Sequence, residues 1–254
     1  MMTFISCAKT MTARTKIKFP ETTVPPFQKE ARENALYMNQ FTAEELGRML
    51  KVNAKLAAEN RLRYQDFLSP DTPSLPALLA YTGMVFKRIH PADFTPEDFQ
   101  FAQQHLLITS FLYGLLRPLD AIKNYRMEGN VRLPEHQHQT QFDYWKPILT
   151  DYFIEAVRRQ GGILVNLASG EMKDLFHWDK VCREVLVITP EFYTLKNGKP
   201  TTVVVYAKMC RGEMTRFILK NRIEQPEQLK AFEWEGFSYD AASSDAQTLR
   251  FLLK

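Results

Sequence analysis

The chain has 254 residues, of which 45% are hydrophobic and 24% are charged, and its formal net charge is +4. These values are ordinary for a globular protein, and the excess charge is too small to identify a nucleic-acid-binding protein. No run approaches the roughly 18 apolar residues that a membrane-spanning helix needs, and the N-terminus lacks a signal peptide's apolar run, so we expect a soluble protein with no membrane partner.

The three cysteines, Cys7, Cys182 and Cys210, are scattered without a Cys-x-x-Cys pair. This usage is typical of a reducing compartment, so we expect the protein to be cytoplasmic. Cys7 and Cys210 have cationic neighbours in the sequence, which favour a thiolate if the groups are close in space. A redox-sensing thiol and a buried, incidental thiol therefore remain alternatives for both residues.

The first part of the chain alternates strand and helix signals. A compact apolar run predicts a strand at residues 3–8, and prolines then mark an extended connector. Residues 27–68 have a helical pattern with a break near Gln40. A new helix starts at Thr42, because Thr42 and Glu45 have the spacing of a capping box.

The segment from Thr95 to Arg126 is the most informative part of the sequence. Threonine caps helices and proline suits their first turn, so a helix begins at Thr95 and is predicted to reach a glycine turn at Gly114. A second helix is predicted from Pro118, and its free backbone amides would point towards the turn. With the guanidinium groups of Arg117 and Arg126, the segment predicts an oxyanion-binding turn, with a nucleic-acid phosphate as the leading ligand.

The second half of the chain predicts a mixture of helices and strands. The elements are a helix at 141–160, a buried strand at 163–167, a hairpin at Asn197-Gly198, a helix at 207–223, and strands at 233–239 and 248–252. Strands interleaved with helices predict one mixed sheet flanked by helices in a single compact α+β domain covering residues 1–254. The buried strand brings the polar residues Asn166, Ser169 and Glu171 to its end, where they line a site or cap the next helix.

Basic side chains are concentrated on the helix after the hairpin. Over the length of that helix the five charges cannot all contact one small ligand, whereas a nucleic-acid backbone presents an equally long array of phosphates. The alternative is a solvated face with intrahelical partners such as Glu213. The five residues are Lys208, Arg211, Arg216, Lys220 and Arg222.

The sequence contains no recognisable metal site or nucleotide loop. His136 and His138 form a His-x-His pair, but no third ligand has a matching spacing, and glycine-rich phosphate loops are missing from the sequence. We therefore expect no metal and no cofactor. Asp120, Glu128 and Glu171 are weak candidates for a general base, and the alternative is that they orient the nearby cations through ion pairs.

Several of these segments carry a resemblance that covers nearly the whole chain. The sequence resembles the YaaA family of bacterial peroxide stress proteins in SCAKT at 6–10, FQFAQQHL at 99–106, LYGLLRPLD at 112–120, YR at 125–126, NLAS at 166–169, YAK at 206–208, RG at 211–212, RFI at 216–218 and EG at 235–236. It departs from the family pattern at Cys7, where proline is usual, at Met209-Cys210, where Lys-Ala is common, and at Gly129-Asn130, where Met-Gly usually follows the glutamate.

The resemblance implies a compact mixed α/β fold with a positively charged cleft and a helix-hairpin-helix element that binds duplex DNA without marked sequence preference. It also implies a role in limiting oxidative damage under peroxide stress, through restraint of free iron. We assign the helix-hairpin-helix to residues 95–118. Apart from these departures, the sequence keeps the following residues of the family pattern: Lys9, Arg117, Asp120, Arg126, Glu128, Lys208 and Arg211.

The leading hypothesis is therefore a peroxide stress protein that binds the phosphate backbone of duplex DNA. Its predicted DNA- and anion-binding residues are Lys9, Gly114, Arg117, Arg126, Lys208, Arg211 and Arg216. The alternative is an enzyme that acts on a small anionic, nucleotide-like substrate in the same cleft, with Asp120, Glu128 or Glu171 in a catalytic role. A third hypothesis is a thiol-based sensor that uses Cys7 or Cys210.

Overall fold

A mixed β-sheet forms the centre of the fold in the computed structural model, which describes residues 1–253. The strands of this sheet are β1 (Met2–Ile5), β3 (Leu106–Ser110), β4 (Gly114–Leu116), β6 (Ile163–Asn166), β7 (Leu186–Lys196), β8 (Lys199–Thr201), β9 (Glu233–Trp234), β10 (Phe237–Tyr239) and β11 (Thr248–Leu253), and a separate pair is formed by β2 (Leu75–Pro76) and β5 (Ala121–Ile122).

The strand order places β1 between two parallel partners. The order is β4-β3-β1-β6-β7-β11-β10-β9, with β8 paired to β7. β1 is parallel to β3 on one side and to β6 on the other, so the carboxyl ends of these three strands meet at the same edge of the sheet. Every residue of β1 and β3 is buried, as expected for parallel strands covered on both faces.

Nine α-helices surround the sheet within the described residues. They are α1 (Gln28–Met38), α2 (Ala43–Leu50), α3 (Ala54–Gln65), α4 (Ala77–Ala80), α5 (Met84–Ile89), α6 (Pro96–His105), α7 (Gln141–Arg159), α8 (Trp178–Glu184) and α9 (Val204–Lys220). α7 packs against β4 and β6, α6 contacts β1, and α9 lies along α5 and contacts β7. The prediction of one mixed sheet in a single compact α+β domain is confirmed.

Several local predictions are confirmed because they depend on nearest-neighbour chemistry. The Thr42 side chain accepts a hydrogen bond from the Glu45 backbone, and Thr95 does the same for Asp98, so α2 and α6 both begin with a capping box. The hairpin between β7 and β8 turns at Asn197 and Gly198, which both have positive φ.

The predicted helix from Thr95 to Gly114 and the predicted second helix at Pro118 are wrong. α6 ends at His105, and the chain continues as β3 and β4, which form an antiparallel hairpin. The run from Leu106 to Ile108 is apolar throughout, and such a run fits a buried strand as well as a buried helix. Pairing with β1 decides between them, so residues 95–118 do not form a helix-hairpin-helix.

A glycine on α9 sets the distance between α9 and α5. A methyl group at position 212 would lie 2.5 Å from Cβ of Arg88 and still closer to the backbone carbonyl oxygen of Val85. Only glycine allows the two helices to approach this closely, and the approach places the preceding residue, Arg211, beside the segment that begins α5.

We therefore expect Gly212→Ala to lower the free energy of unfolding by about 1–2 kcal/mol. Overpacking against a backbone carbonyl costs roughly 1–3 kcal/mol, which outweighs the gain of up to about 1 kcal/mol in helix propensity. Urea unfolding monitored by circular dichroism measures the difference. Gly170→Ala is the matched control, because a methyl group there meets no atom within 4 Å. Equal stability of the two variants would contradict this account of the helix contact.

Candidate functional site

A cavity of about 590 Å³ opens at the carboxyl ends of β1, β3 and β6. Residues 6–10, which follow β1, form one wall, while Phe111 follows β3 and Ser169 follows β6. The ends of β1 and β6 are tied together, because the Ser169 backbone amide donates to Oγ of Ser6 (2.8 Å) and the two hydroxyls lie 3.1 Å apart. Crevices at this edge, where the strand order reverses, are where open α/β sheets bind ligands.

Basic side chains from four separate segments converge on this cavity. Five cationic residues and two carboxylates, Glu128 and Glu171, line it. The cations therefore outnumber the carboxylates, and the cavity attracts anions. The five basic residues are Lys9, Lys51, Arg126, Lys208 and Arg211.

Glu128 holds two of these cations in place. Its carboxylate accepts from Nζ of Lys9 at 2.7 Å and from Nη2 of Arg126 at 3.0 Å. The Arg126 backbone is fixed as well, because its carbonyl oxygen accepts a hydrogen bond from the buried Tyr64 hydroxyl at 2.5 Å. Glu128 therefore orients the cations through ion pairs, which is the alternative that the sequence left open for this residue.

Lys208 and Arg211 lie one turn apart on α9 and have no such partner. Within residues 1–253, no carboxylate lies within ion-pair distance of either side chain, and no hydrogen-bond acceptor meets the Arg211 guanidinium. Burial lowers the pKa of Arg211 from its ordinary value, although the group stays charged at neutral pH. An unpaired, partly buried guanidinium in a cavity is a candidate anion-binding group.

Arg117 and Asp120 are not brought to the cavity. Nη1 of Arg117 donates to the backbone carbonyl of Gln103 at 2.8 Å, and the Arg117 backbone amide donates to Oδ2 of Asp120 at 2.7 Å. The other Asp120 oxygen accepts from the Thr23 hydroxyl at 2.6 Å, and the carboxylate is 2% exposed. Burial raises the pKa of Asp120, but both of its oxygens are used in holding a turn.

Gly114 and Arg216 also lie away from the cavity. Gly114 has a φ of +72°, and a side chain there would meet the Trp145 ring, so its backbone closes the β3–β4 hairpin against α7. Arg216 forms a two-pronged ion pair with Asp93, at 2.8 and 2.5 Å. Glu171, in contrast, is exposed at the cavity, where Ser169 donates to it at 3.5 Å.

Residues that the sequence analysis did not single out form the apolar part of the cavity. Phe86, Phe111 and Phe142 line it, and the rings of Phe111 and Phe142 meet edge to face at 5.2 Å. Gly129 allows this packing, because a side chain there would overlap the Phe142 ring. Single aromatic residues scattered along a chain give no sequence signal of this kind, since their convergence depends on the strand order.

The described residues lack the patterns of metal sites and membrane-spanning helices. Within the part of the chain that the structure describes, no three His, Cys, Asp or Glu side chains are grouped so that they could hold a metal ion. His136 of the His-x-His pair stacks on the Tyr144 ring at 3.7 Å. None of the helices between residues 1 and 253 combines the length and apolar character needed to cross a bilayer.

The thiols of Cys7 and Cys210 do not have the environment of reactive cysteines. Burial raises the pKa of Cys7 to about 11 and that of Cys210 to about 12. The basic residues next to them in sequence do not offset the effect of burial on the pKa of either thiol. Cys182 is the exposed thiol, and burial raises its pKa to a lesser degree. Because the thiolate is the reactive form, this arrangement counts against a sensor built on Cys7 or Cys210.

We expect iodoacetamide at pH 7.5 to alkylate Cys182 before the other two cysteines of the native protein. Cys7 and Cys210 should react about ten-fold or more slowly in the native protein than in the unfolded chain, because burial disfavours their thiolate forms. Mass spectrometry of quenched samples gives the three rates, and the same reaction in urea is the control. If Cys7 or Cys210 of the native protein reacts as fast as in urea, burial does not control these thiols.

Comparison with known proteins identifies the family. A family model described as "Peroxide stress protein YaaA" matches residues 1–243. The chain belongs to the YaaA family of peroxide stress proteins. Over 254 residues it is 68% identical to a UPF0246 protein of Phocaeicola vulgatus, with 100% of each chain covered. It is 62% identical over 252 residues to one of Bacteroides thetaiotaomicron, covering 99% of this chain and 98% of the relative, and 44% identical to one of Porphyromonas gingivalis, with full coverage of both.

Membership of this family agrees with the resemblance noted from the sequence, and it assigns the chain to a peroxide stress family. Of the residues that the resemblance retained, the fold gathers Lys9, Arg126, Glu128, Lys208 and Arg211 at one cavity. Arg117 and Asp120 instead stabilise the turn after β4.

Proposed function

We propose that this peroxide stress protein binds the phosphate backbone of duplex DNA at the mouth of the basic cavity. The observation that carries the proposal is the convergence of cations from distant segments, with the exposed Lys208 lacking any carboxylate partner in residues 1–253. Phosphate contacts position a protein on DNA but do not read bases, so binding of this kind has little sequence preference.

The exposed lysines at the rim suit this role. Lys9 keeps 68% of its side chain exposed although it pairs with Glu128, and Lys51 and Lys208 are also exposed. An exposed ammonium group on a flexible stem reaches the phosphates of a duplex that lies across the opening. Arg126 and Arg211 are withdrawn from the rim, so we assign the duplex contacts to the three lysines.

A second element supports duplex binding. α2 and α3 are neighbouring helices joined by residues 51–53, and a side chain at position 47 would lie 3.4 Å from Cβ of Ala57, so small residues permit a close approach. Lys51 in the turn has a φ of +52° and lies at the cavity. We propose that α2, this turn and α3 form the helix-hairpin-helix that the family resemblance implies, in place of residues 95–118.

Neutralisation of three phosphates predicts a log–log dependence of duplex affinity on salt with a slope of about −2.7, at roughly −0.9 per phosphate. We expect Lys208→Gln to reduce this slope by about 0.9 and to weaken binding at low salt. Fluorescence anisotropy with a labelled 20-base-pair duplex measures both quantities, and duplexes of unrelated sequence should give the same values.

Lys196→Gln is the matched control, because it removes an exposed lysine from the β7–β8 hairpin outside the cavity. In the same titration, Glu128→Gln should tighten duplex binding several-fold, since it removes a negative charge beside Lys9 and Arg126. Binding through this rim would be ruled out if duplex affinity did not change with salt concentration. It would also be ruled out if Lys196→Gln and Lys208→Gln changed duplex affinity equally.

A further inference from the structure

The cations at the cavity fall into two groups that differ in exposure. The rim lysines are exposed, whereas the Arg126 side chain is only 17% exposed and Arg211 is partly buried on α9. A duplex lying across the mouth contacts the rim but cannot enter a cavity of about 590 Å³. The inner arginines therefore need a ligand group small enough to pass between the lysines.

Both inner arginines have unused hydrogen-bonding capacity. Nε of Arg126 is buried and meets no acceptor within residues 1–253, and the Arg211 guanidinium meets none either. Burial of a charged donor without an acceptor is costly, and one or two oxygen atoms of a phosphate satisfy such donors in a planar, two-pronged geometry. The inner end of the cavity thus suits a single phosphate group.

The rest of the cavity suits a flat, partly apolar group. The half-buried Phe142 contributes ring surface, Phe86 and Phe111 also line the cavity but are buried, and the Ser6 and Ser169 hydroxyls lie at the strand ends. Aromatic faces bind nucleobases by stacking regardless of sequence, while hydroxyls and carboxylates hydrogen-bond base edges and sugars. The volume lies within the range of small-ligand sites, and the position at the carboxyl ends of β1 and β6 is the usual nucleotide position in parallel sheets.

We propose that the cavity binds one nucleotide, with its phosphate on Arg211 and Arg126 and its base against the aromatic wall. The choice of a nucleotide rests on the proposed DNA-binding function, because the same rim would bring nucleic acid to the opening. Two sources supply this chemistry: a free nucleoside monophosphate, or an unpaired nucleotide turned out of a DNA strand. No glycine-rich loop is needed, since guanidinium groups replace backbone amides as phosphate donors.

The test uses three ligands with the full-length protein: deoxyadenosine 5′-monophosphate, a fully paired duplex, and the same duplex with one unpaired adenine. If the ligand comes from a strand, the unpaired adenine strengthens duplex binding about ten-fold. If it is free, the monophosphate binds measurably by calorimetry while deoxyadenosine does not. In either case Arg211→Gln should weaken the affinity for the monophosphate, or the preference for the unpaired adenine, by about ten-fold or more. A change of this size corresponds to the loss of one charge-assisted contact.

Arg211→Lys and Arg183→Gln are the companion variants. Arg211→Lys keeps the charge but loses the planar fork, so it should recover only part of the loss, while Arg183→Gln removes an exposed arginine from α8 and should bind like wild type. Circular dichroism checks that each variant is folded. Arg211→Gln should also leave affinity for the fully paired duplex within about two-fold, because the rim lysines make those contacts.

The outcomes for the two proposals are separate. If wild-type protein binds the paired duplex but shows neither preference for the unpaired adenine nor affinity for the monophosphate, the nucleotide pocket is wrong and duplex binding stands. If the monophosphate binds through Arg211 and no duplex binds, the pocket stands and the proposed function is wrong. Equal effects of Arg211→Gln and Arg183→Gln on every ligand would also overturn the pocket.

Discussion

The parallel pairing of β1 with both β3 and β6 is the constraint on which the site depends. It brings the carboxyl ends of three strands from distant parts of the chain to one edge, and the Ser6–Ser169 contact fixes the spacing of two of them. The segments that leave these strand ends line the cavity. Lys9 reaches the cavity for this reason, four residues after β1 ends.

The electrostatics of the cavity are a compromise between folding and binding. Glu128 pairs with Lys9 and Arg126, which reduces the repulsion among cations that the fold has concentrated. On α9, Lys208 and Arg211 have no carboxylate partner among residues 1–253, although Arg216 and Lys220 further along the same helix each have one. The part of α9 without a carboxylate partner in the described chain is the part beside the cavity, as expected when the missing partner is a ligand.

Elements determined by neighbouring residues are predictable from this sequence, whereas elements determined by distant residues are not. Helix starts at Thr42 and Thr95 and the turn at Asn197-Gly198 could be predicted, because neighbouring residues determine them. The run from Leu106 to Ser110 could not, because helix and strand bury it equally well and only pairing with β1 selects the strand. The anion-binding turn predicted at Gly114 and Arg117 depends on that segment being a helix, and the hairpin does not form it.

In the candidate site, too, residue type and family resemblance identify some residues, whereas others depend on contacts between distant segments. Lys9, Arg126, Lys208 and Arg211 were selected by residue type and by family resemblance, and the fold gathers them. Arg216 has the same chemistry, but Asp93 reaches it from a loop that is distant in sequence, and no local pattern reveals such a partner. Lys51 and the aromatic wall were missed, since their position depends on how α2 and the strand ends pack together.

The central claim is that cations remote in sequence act as one anion-binding site. Nuclear magnetic resonance of the arginine Nε–H groups, recorded while a nucleoside monophosphate or a short duplex with one unpaired base is added, tests this claim most directly. We expect the signals of Arg126 and Arg211 to shift together with one midpoint, while those of Arg117 and Arg216, whose guanidinium groups have protein partners, stay in place. Shifts at Arg117 or Arg216 with Arg126 and Arg211 unchanged would contradict it.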